Sequence, residues 1–485
     1  METRSFTSRP FIQFGLAVVS IMLVCQAGFC VTMEELVERL EKLEAENRVL
    51  KDKVARLEGK EATVPTAVPV KPDGTPRQFI NCDHELTYEM LDSTTRINRK
   101  QLLLLEKRQS GELADDSVVV GAAVTAIADV QKSNTESKFG YLMRHPTSAN
   151  QRTKDVSEAL IHSAQISLAG SLGSWITAYM EVLYDPEQSF GSGAITDLNR
   201  NQLQLRRGYV LFGNLDESPL YLSLGKMATP FGLTDTVNPF TASTVWHAFG
   251  GLAYGVQGGY YKGGLSLAVM GVQGGAQFRA HNMPVDDTNI PSKLNNYVVD
   301  ANYTFSFGDG DSLVLGASYQ EGSAYCQKFP VTHFVSCDDN NPAYDVYAQL
   351  TLGDFQFQAE FAETVDEWPG TFNPHIPEFE AHEVSSLGLG AKYRMEWFEK
   401  DVDLSLEFSR FTAGPDGAEW EDQDQWVLGL ATFVTPSVKL FAEYIHTEGY
   451  VPLNFISGGN VEQGETHSDR NAKSDILMLG VNAAF

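Results

Sequence analysis

Few residues in this sequence are spaced for catalysis. His84-Glu85 and His382-Glu383 each begin like a zinc-protease helix, but neither is followed by a second His four residues after the first. There is no G-x-S-x-G elbow and no G-x-x-x-x-G-K-[ST] phosphate loop. Gly308-Asp309-Gly310-Asp311 has the composition of a calcium loop but reads more simply as a tight turn, and Asp338-Asp339-Asn340-Asn341 reads as a solvated loop tip. Cys326 and Cys337 share one polar stretch and are expected to pair as a loop disulfide in an oxidising compartment. Only His333 lies near them, so a zinc site is not expected. The expectation is a protein with no catalytic residues, metal or cofactor, and so not an enzyme.

Where charges do recur, they alternate with apolar side chains. Gln358 and Glu360 interleave with Phe355, Phe357, Ala359 and Phe361; Asp403 and Glu407 with Val402, Leu404, Leu406 and Phe408. Lys392 and Arg394 alternate with Ala391 and Tyr393, Glu443 with Ala442 and Tyr444, and Glu181 follows the same rule. A period of two is that of a strand, with one face for each class of residue. In a soluble sandwich the apolar face would turn inward. In a membrane barrel it meets lipid and the charges line the lumen.

Turn spacing separates the two. Short turns are expected near 171–174, 214–219, 262–263, 308–311, 353–354, 397–400 and 435–437. Long loops are expected near 131–156, 185–199, 228–249, 275–294, 321–342, 365–382, 412–424 and 448–474. Seven short turns alternating strictly with eight long loops define sixteen strands, with both ends on the periplasmic side. The class is therefore all-β, a transmembrane antiparallel barrel of about sixteen strands over residues 117–485, in the bacterial outer membrane. Phe485 closes an amphipathic segment in the manner of outer-membrane assembly signals, and Trp175, Tyr184, Tyr260, Tyr261, Trp397 and Phe398 fall near expected strand ends. One pair resists this reading. Arg206 and Arg207 are adjacent in a strand, so one should face lipid unless a bulge intervenes.

The front of the chain is different. Residues 1–30 have the basic start, short apolar run and small residues of an export signal. Residues 31–60 hold a heptad seam, Met33, Leu36, Leu40, Leu43, Asn47, Leu50, Val54 and Leu57, which implies a coiled coil and self-association into a homo-oligomer. Residues 61–80 form a Pro-rich spacer, and 81–116 a helical linker whose basic helix spans Thr94–Gln109; that helix either caps or plugs a barrel mouth or simply links, and the link is the favoured reading. No globular plug composition is evident there. Acids outnumber bases 63 to 36, which argues against nucleic acid as a partner.

A loop at Thr229–Gly250 carries Phe231, Asp235, Phe240 and Trp246 without any Lys or Arg, and is expected to fold inward as a constriction. The stretch Tyr221–Thr234 (YLSLGKMATPFGLT) leads into it. With the front helix, the spacer and the closing Phe485, it resembles the LbtU-type siderophore porins. That resemblance implies uptake of a ferric siderophore or similar small solute without a large plug. The alternatives are a general porin for small polar or cationic solutes, and an envelope tether that the barrel anchors in lipid.

Overall fold

The structure is a computed structural model. It describes residues 79–136, 138–139, 153–185, 202–273, 294–308, 310–326, 340–368, 372–373, 376–377, 382–451 and 468–485. The export signal, the coiled coil, the spacer up to residue 78 and the Cys326–Cys337 pairing lie outside the described residues, apart from the backbone of Cys326.

Sixteen antiparallel strands form one closed ring. They are β1 (Val118–Ser133), β2 (Asp155–Leu172), β3 (Ile176–Asp185), β4 (Gln202–Gly213), β5 (Leu220–Ala228), β6 (Leu252–Lys262), β7 (Leu265–Gln273) and β8 (Leu294–Gly308). The second half comprises β9 (Asp311–Gln320), β10 (Ala343–Leu352), β11 (Phe355–Thr364), β12 (Ser385–Trp397), β13 (Lys400–Thr412), β14 (Asp422–Thr435), β15 (Val438–Tyr450) and β16 (Asp469–Ala484). Each strand pairs with its sequence neighbour. The ring closes where β16 meets β1, from Ser474 opposite Ser133 to Ala484 opposite Ala123. Phe485 extends the joint, its N–H donating to Ala122 O at 2.9 Å and its carbonyl accepting from Ala122 N at 2.7 Å. Closure leaves the ring no unpaired edge.

The burial pattern is that of a soluble protein turned inside out. Phe357 is 44% exposed and Leu406 49%, as part of an outer belt with Ile166, Leu222, Val269, Tyr303, Phe305, Leu315 and Leu428. On the opposite face of the same strands Glu181, Arg207, Gln257, Asp300, Glu407 and Gln425 are buried. An apolar exterior around a polar interior suits lipid outside and protein or water within. No helix among the described residues is long and apolar enough to cross a membrane; this chain crosses with strands. The protein is an outer-membrane barrel.

Two elements occupy the interior. The first precedes β1: α1 (His84–Leu91) and α2 (Lys100–Gln109). Asp83 caps α1, its Oδ1 accepting from Leu86 N at 2.9 Å. Asp92 shapes the reversal between the helices, accepting from Thr94 N at 3.1 Å, Thr94 Oγ1 at 2.7 Å and Thr95 Oγ1 at 2.7 Å. This Asp turn, with Arg96 at φ 51°, keeps 94–99 out of the helix that the sequence places there. Leu102, Leu103, Leu104 and Leu105 are all buried, so the first half of α2 is covered on every side. The segment whose favoured reading is a link thus takes the other course, packing inside the barrel. The second element is the loop between β5 and β6. Every residue from Met227 to Gly250 is buried except the half-buried Trp246, and the loop contains the short helix α3 (Thr244–Phe249).

Candidate functional site in the barrel lumen

The β5–β6 loop is held by carboxylates of alternate strands. On β11, Glu360 Oε1 accepts from Thr234 N at 2.9 Å. On β13, Glu407 accepts from Thr236 Oγ1 at 2.7 Å, Val237 N at 3.4 Å and Asn238 Nδ2 at 3.0 Å. On β15, Glu443 accepts from Phe240 N at 2.8 Å, from Thr241 N at 3.0 and 3.2 Å, and from Thr241 Oγ1. The strands between supply glycines where the loop comes closest. A Cβ on Gly390 of β12 would lie 2.7 Å from Val237, and one on Gly429 of β14 would lie 2.5 Å from Pro239. Acid and glycine thus alternate around this wall, one binding the loop backbone and the other making room for it.

The Pro-Phe-Gly turn has a specific reason for its glycine. Gly232 has φ +69°, and a Cβ there would fall 2.4 Å from Glu360 Oε1 and 3.0 Å from Asp345 Oδ2. Its N–H donates to Ser318 Oγ at 2.9 Å, which in turn donates to Asp300 at 2.7 Å.

The loop also holds the helices. Asp235 accepts from Ile97 N at 3.2 Å and pairs with Arg99 at 3.1 Å. Thr236 N donates to Thr94 O at 2.9 Å, and Asn98 Nδ2 donates to Phe231 O at 3.3 Å and also to Gly232 O. Beyond the loop, α2 reaches the wall itself: Gln101 Nε2 donates to Gln257 of β6 at 3.3 Å, and Arg108 donates to Thr177 Oγ1 of β3 at 2.9 Å. Lys100 is buried, donating to Thr95 O at 3.0 Å and also to Glu89 O. Burial pushes its ammonium down to about 8, against the pull of Asp92.

The residues expected to line the pore divide into groups. Gln358, Glu360, Glu407 and Glu443 turn inward but are covered by the loop; Gln358 donates to Asp235 O. Arg394 and Asp403 pair with each other at 2.7 Å beside the short turn 398–399. Lys392 lies on the same face of β12 as Gly388 and Gly390. Of the loop residues, Phe231 packs with Phe249 at 6.0 Å between ring centroids, Phe240 stacks on Phe441 at 5.0 Å, Asp235 latches onto Ile97 and Arg99 just ahead of α2, and Trp246 is half-buried.

Glu181 belongs to a different arrangement. It is fully buried, pairing with Arg207 at 2.8 Å and Arg206 at 3.3 Å, and accepting from Gln165 at 2.8 Å. The β3–β4 register shifts here: Glu181 faces Arg207 and Val182 faces Leu205, so Arg206 is the extra residue of a bulge. That resolves the conflict of the adjacent arginines, because both turn inward. Lys226 of β5 lies opposite Gly208 and donates to Leu205 O at 2.9 Å. Arg206, Arg207 and Lys226 were not among the residues expected to form a site, although two adjacent arginines in a strand were the signal.

Ring, outer belt and lumen filling together define a porin-type outer-membrane barrel. No protein-family profile matches the chain. It is 28% identical over 333 residues to a UPF0422 protein of Coxiella burnetii, covering 64% of this chain and 63% of that protein, which is under two thirds of the relative's length. A UPF0422 protein of Legionella pneumophila (strain Paris) is 33% identical over 70 residues, 14% of this chain and 13% of that protein. Among solved structures, the outer membrane channel DcaP of Acinetobacter baumannii aligns with TM-score 0.46 and 13% identity, over 76% of this chain and 97% of that one. The anion-selective porin of Comamonas acidovorans aligns with TM-score 0.47 and 11% identity, over 76% and 99%.

Proposed function

We propose that this protein is a substrate-selective outer-membrane porin whose lumen is closed at rest by its own helices and loop. The carrying observation is the buried junction between the two: Arg99 with Asp235, and Thr94 O with Thr236 N. A general porin needs a standing aqueous channel, whereas here solute must displace an ordered filling. Selectivity then follows from which solute offsets the hydrogen bonds and ion pair that break on opening. The finer reading is uptake of a ferric siderophore or a similar small metal-bearing solute, supported by the resemblance of Tyr221–Thr234 and the front architecture to LbtU-type porins. Conductance of the full-length protein in planar bilayers tests the porin reading. Small or rare openings are expected, rising sharply when Asp235–Ser243 is deleted; unchanged conductance in a folded barrel would remove it. Growth of a deletion strain on limiting iron tests the siderophore reading, with normal growth counting against it.

A further inference from the structure

The bulge in β4 is the starting point. A bulge gives up regular ladder pairing, and here it turns two consecutive guanidinium groups onto one carboxylate, Glu181. Lys226 on the next strand adds a third cation, 3% exposed, its ammonium donating to Leu205 O. The polar atoms around Arg207 are incompletely used. Arg207 is 2% exposed, and its Nε has no hydrogen-bond partner. The hydroxyls of Tyr179 (3%) and Tyr209 (4%) likewise have none, and their rings lie 5.5 Å apart. Both tyrosines stand within electrostatic range of Arg207. Nε and both hydroxyls can donate, and a buried donor left empty is destabilising. Three idle donors beside clustered cations describe the complement of an oxygen-rich anion, whose lone pairs a guanidinium edge receives in parallel.

We propose that Arg207, Tyr179 and Tyr209, with Arg206 and Lys226 supplying charge, form an oxyanion site on the lumen wall that takes a carboxylate or phosphate group. The site deepens the porin reading by naming the chemical class of the solute, and as a transport element it rests on that reading. Tyr179 and Tyr209 belong to the same apolar cluster as Leu102–Leu105 of α2, so occupancy of the site and docking of the helices are coupled.

Calorimetric titration of the full-length protein in detergent, at constant ionic strength, tests the site with sodium succinate and with inorganic phosphate. Saturable binding of at least one is expected, and which one binds separates the two anion chemistries. Y179F/Y209F keeps both rings and every charge, and should weaken that binding at least tenfold. R207Q should do the same, and comparable melting of the double Tyr variant keeps the result readable if R207Q does not fold. No saturable binding of either anion, or binding unchanged in Y179F/Y209F, would overturn the site. The porin reading fails separately: binding without conductance would leave the site standing and remove transport, whereas conductance without binding would do the reverse.

Discussion

The two charged walls of the lumen use their charges in opposite ways. On β11, β13 and β15 the carboxylates Glu360, Glu407 and Glu443 are engaged by backbone and side-chain donors of the loop. On β3–β5 two guanidinium groups share Glu181 and leave neighbouring donors idle. A charge facing a barrel interior can thus be a structural tie or a group kept for solute. Only its partners distinguish the two, and an alternating sequence pattern reads the same in both cases.

The largest test of this contrast is to remove ties from the acidic wall. E407A/E443A leaves several buried donors without acceptors, at about 1–3 kcal/mol each, so the loop should detach. Single-channel conductance should rise several-fold and the loop should become cleavable by added protease. A closed, protected channel would show that these acids are not holding it.

Gly232→Ala probes the same wall at one point. The left-handed φ and the approach to Glu360 make a loss of about 2–3 kcal/mol the expected result, read as a lower melting temperature. An unchanged melt would mean that the turn relaxes freely.

A smaller effect is expected where the loop meets the helices. R99Q and D235N should each raise channel open probability, with a coupling of about 1–2 kcal/mol between them in a double-mutant cycle. Additive effects would remove the latch from the account.

The smallest effect is the pH dependence of helix docking. Lys100 faces Asp92, Asp235, Glu181 and Arg207, and its docked value of about 8 lies below the free value of 10.5. Docking is therefore favoured when Lys100 is neutral. It should tighten as pH rises through 8 towards 10.5, by about 1 kcal/mol at pH 9, with no such gain below 8. Corrected for the base-catalysed rise in intrinsic exchange, protection of the α2 amides should increase across this range in the wild type and stay flat in K100M; equal slopes would assign the change elsewhere.

The ring was legible because its signals are local and repeated. Period-two alternation marks Phe355–Thr364 and Lys400–Thr412 as strands, and short turns separate them from their partners. The lumen filling was less legible. Leu102–Leu105 is a run that wraps a helix on all sides, which in hindsight excludes a helix lying in water, yet the basic residues around it read as a linker. The aromatic rings of Thr229–Gly250 and its lack of Lys or Arg set it apart from the other loops in the sequence. That Glu407 and Glu443 would bind its backbone was not legible, because such hydrogen bonds join positions 170 or more apart in the chain.

The position of the helices has a consequence for assembly. Residues 84–109 precede β1, and the ring exists only once β16 has paired with β1 across most of the chain. Leu91 packs with Ala123 and Ala484, one from each of the two strands that meet at that seam. A joint of such long sequence separation forms late, after its loop-closure entropy has been met. The helices are made before either strand and stand where the strands must join. The barrel is therefore built around its contents, and those contents give the first and last strands a common surface on which to find each other.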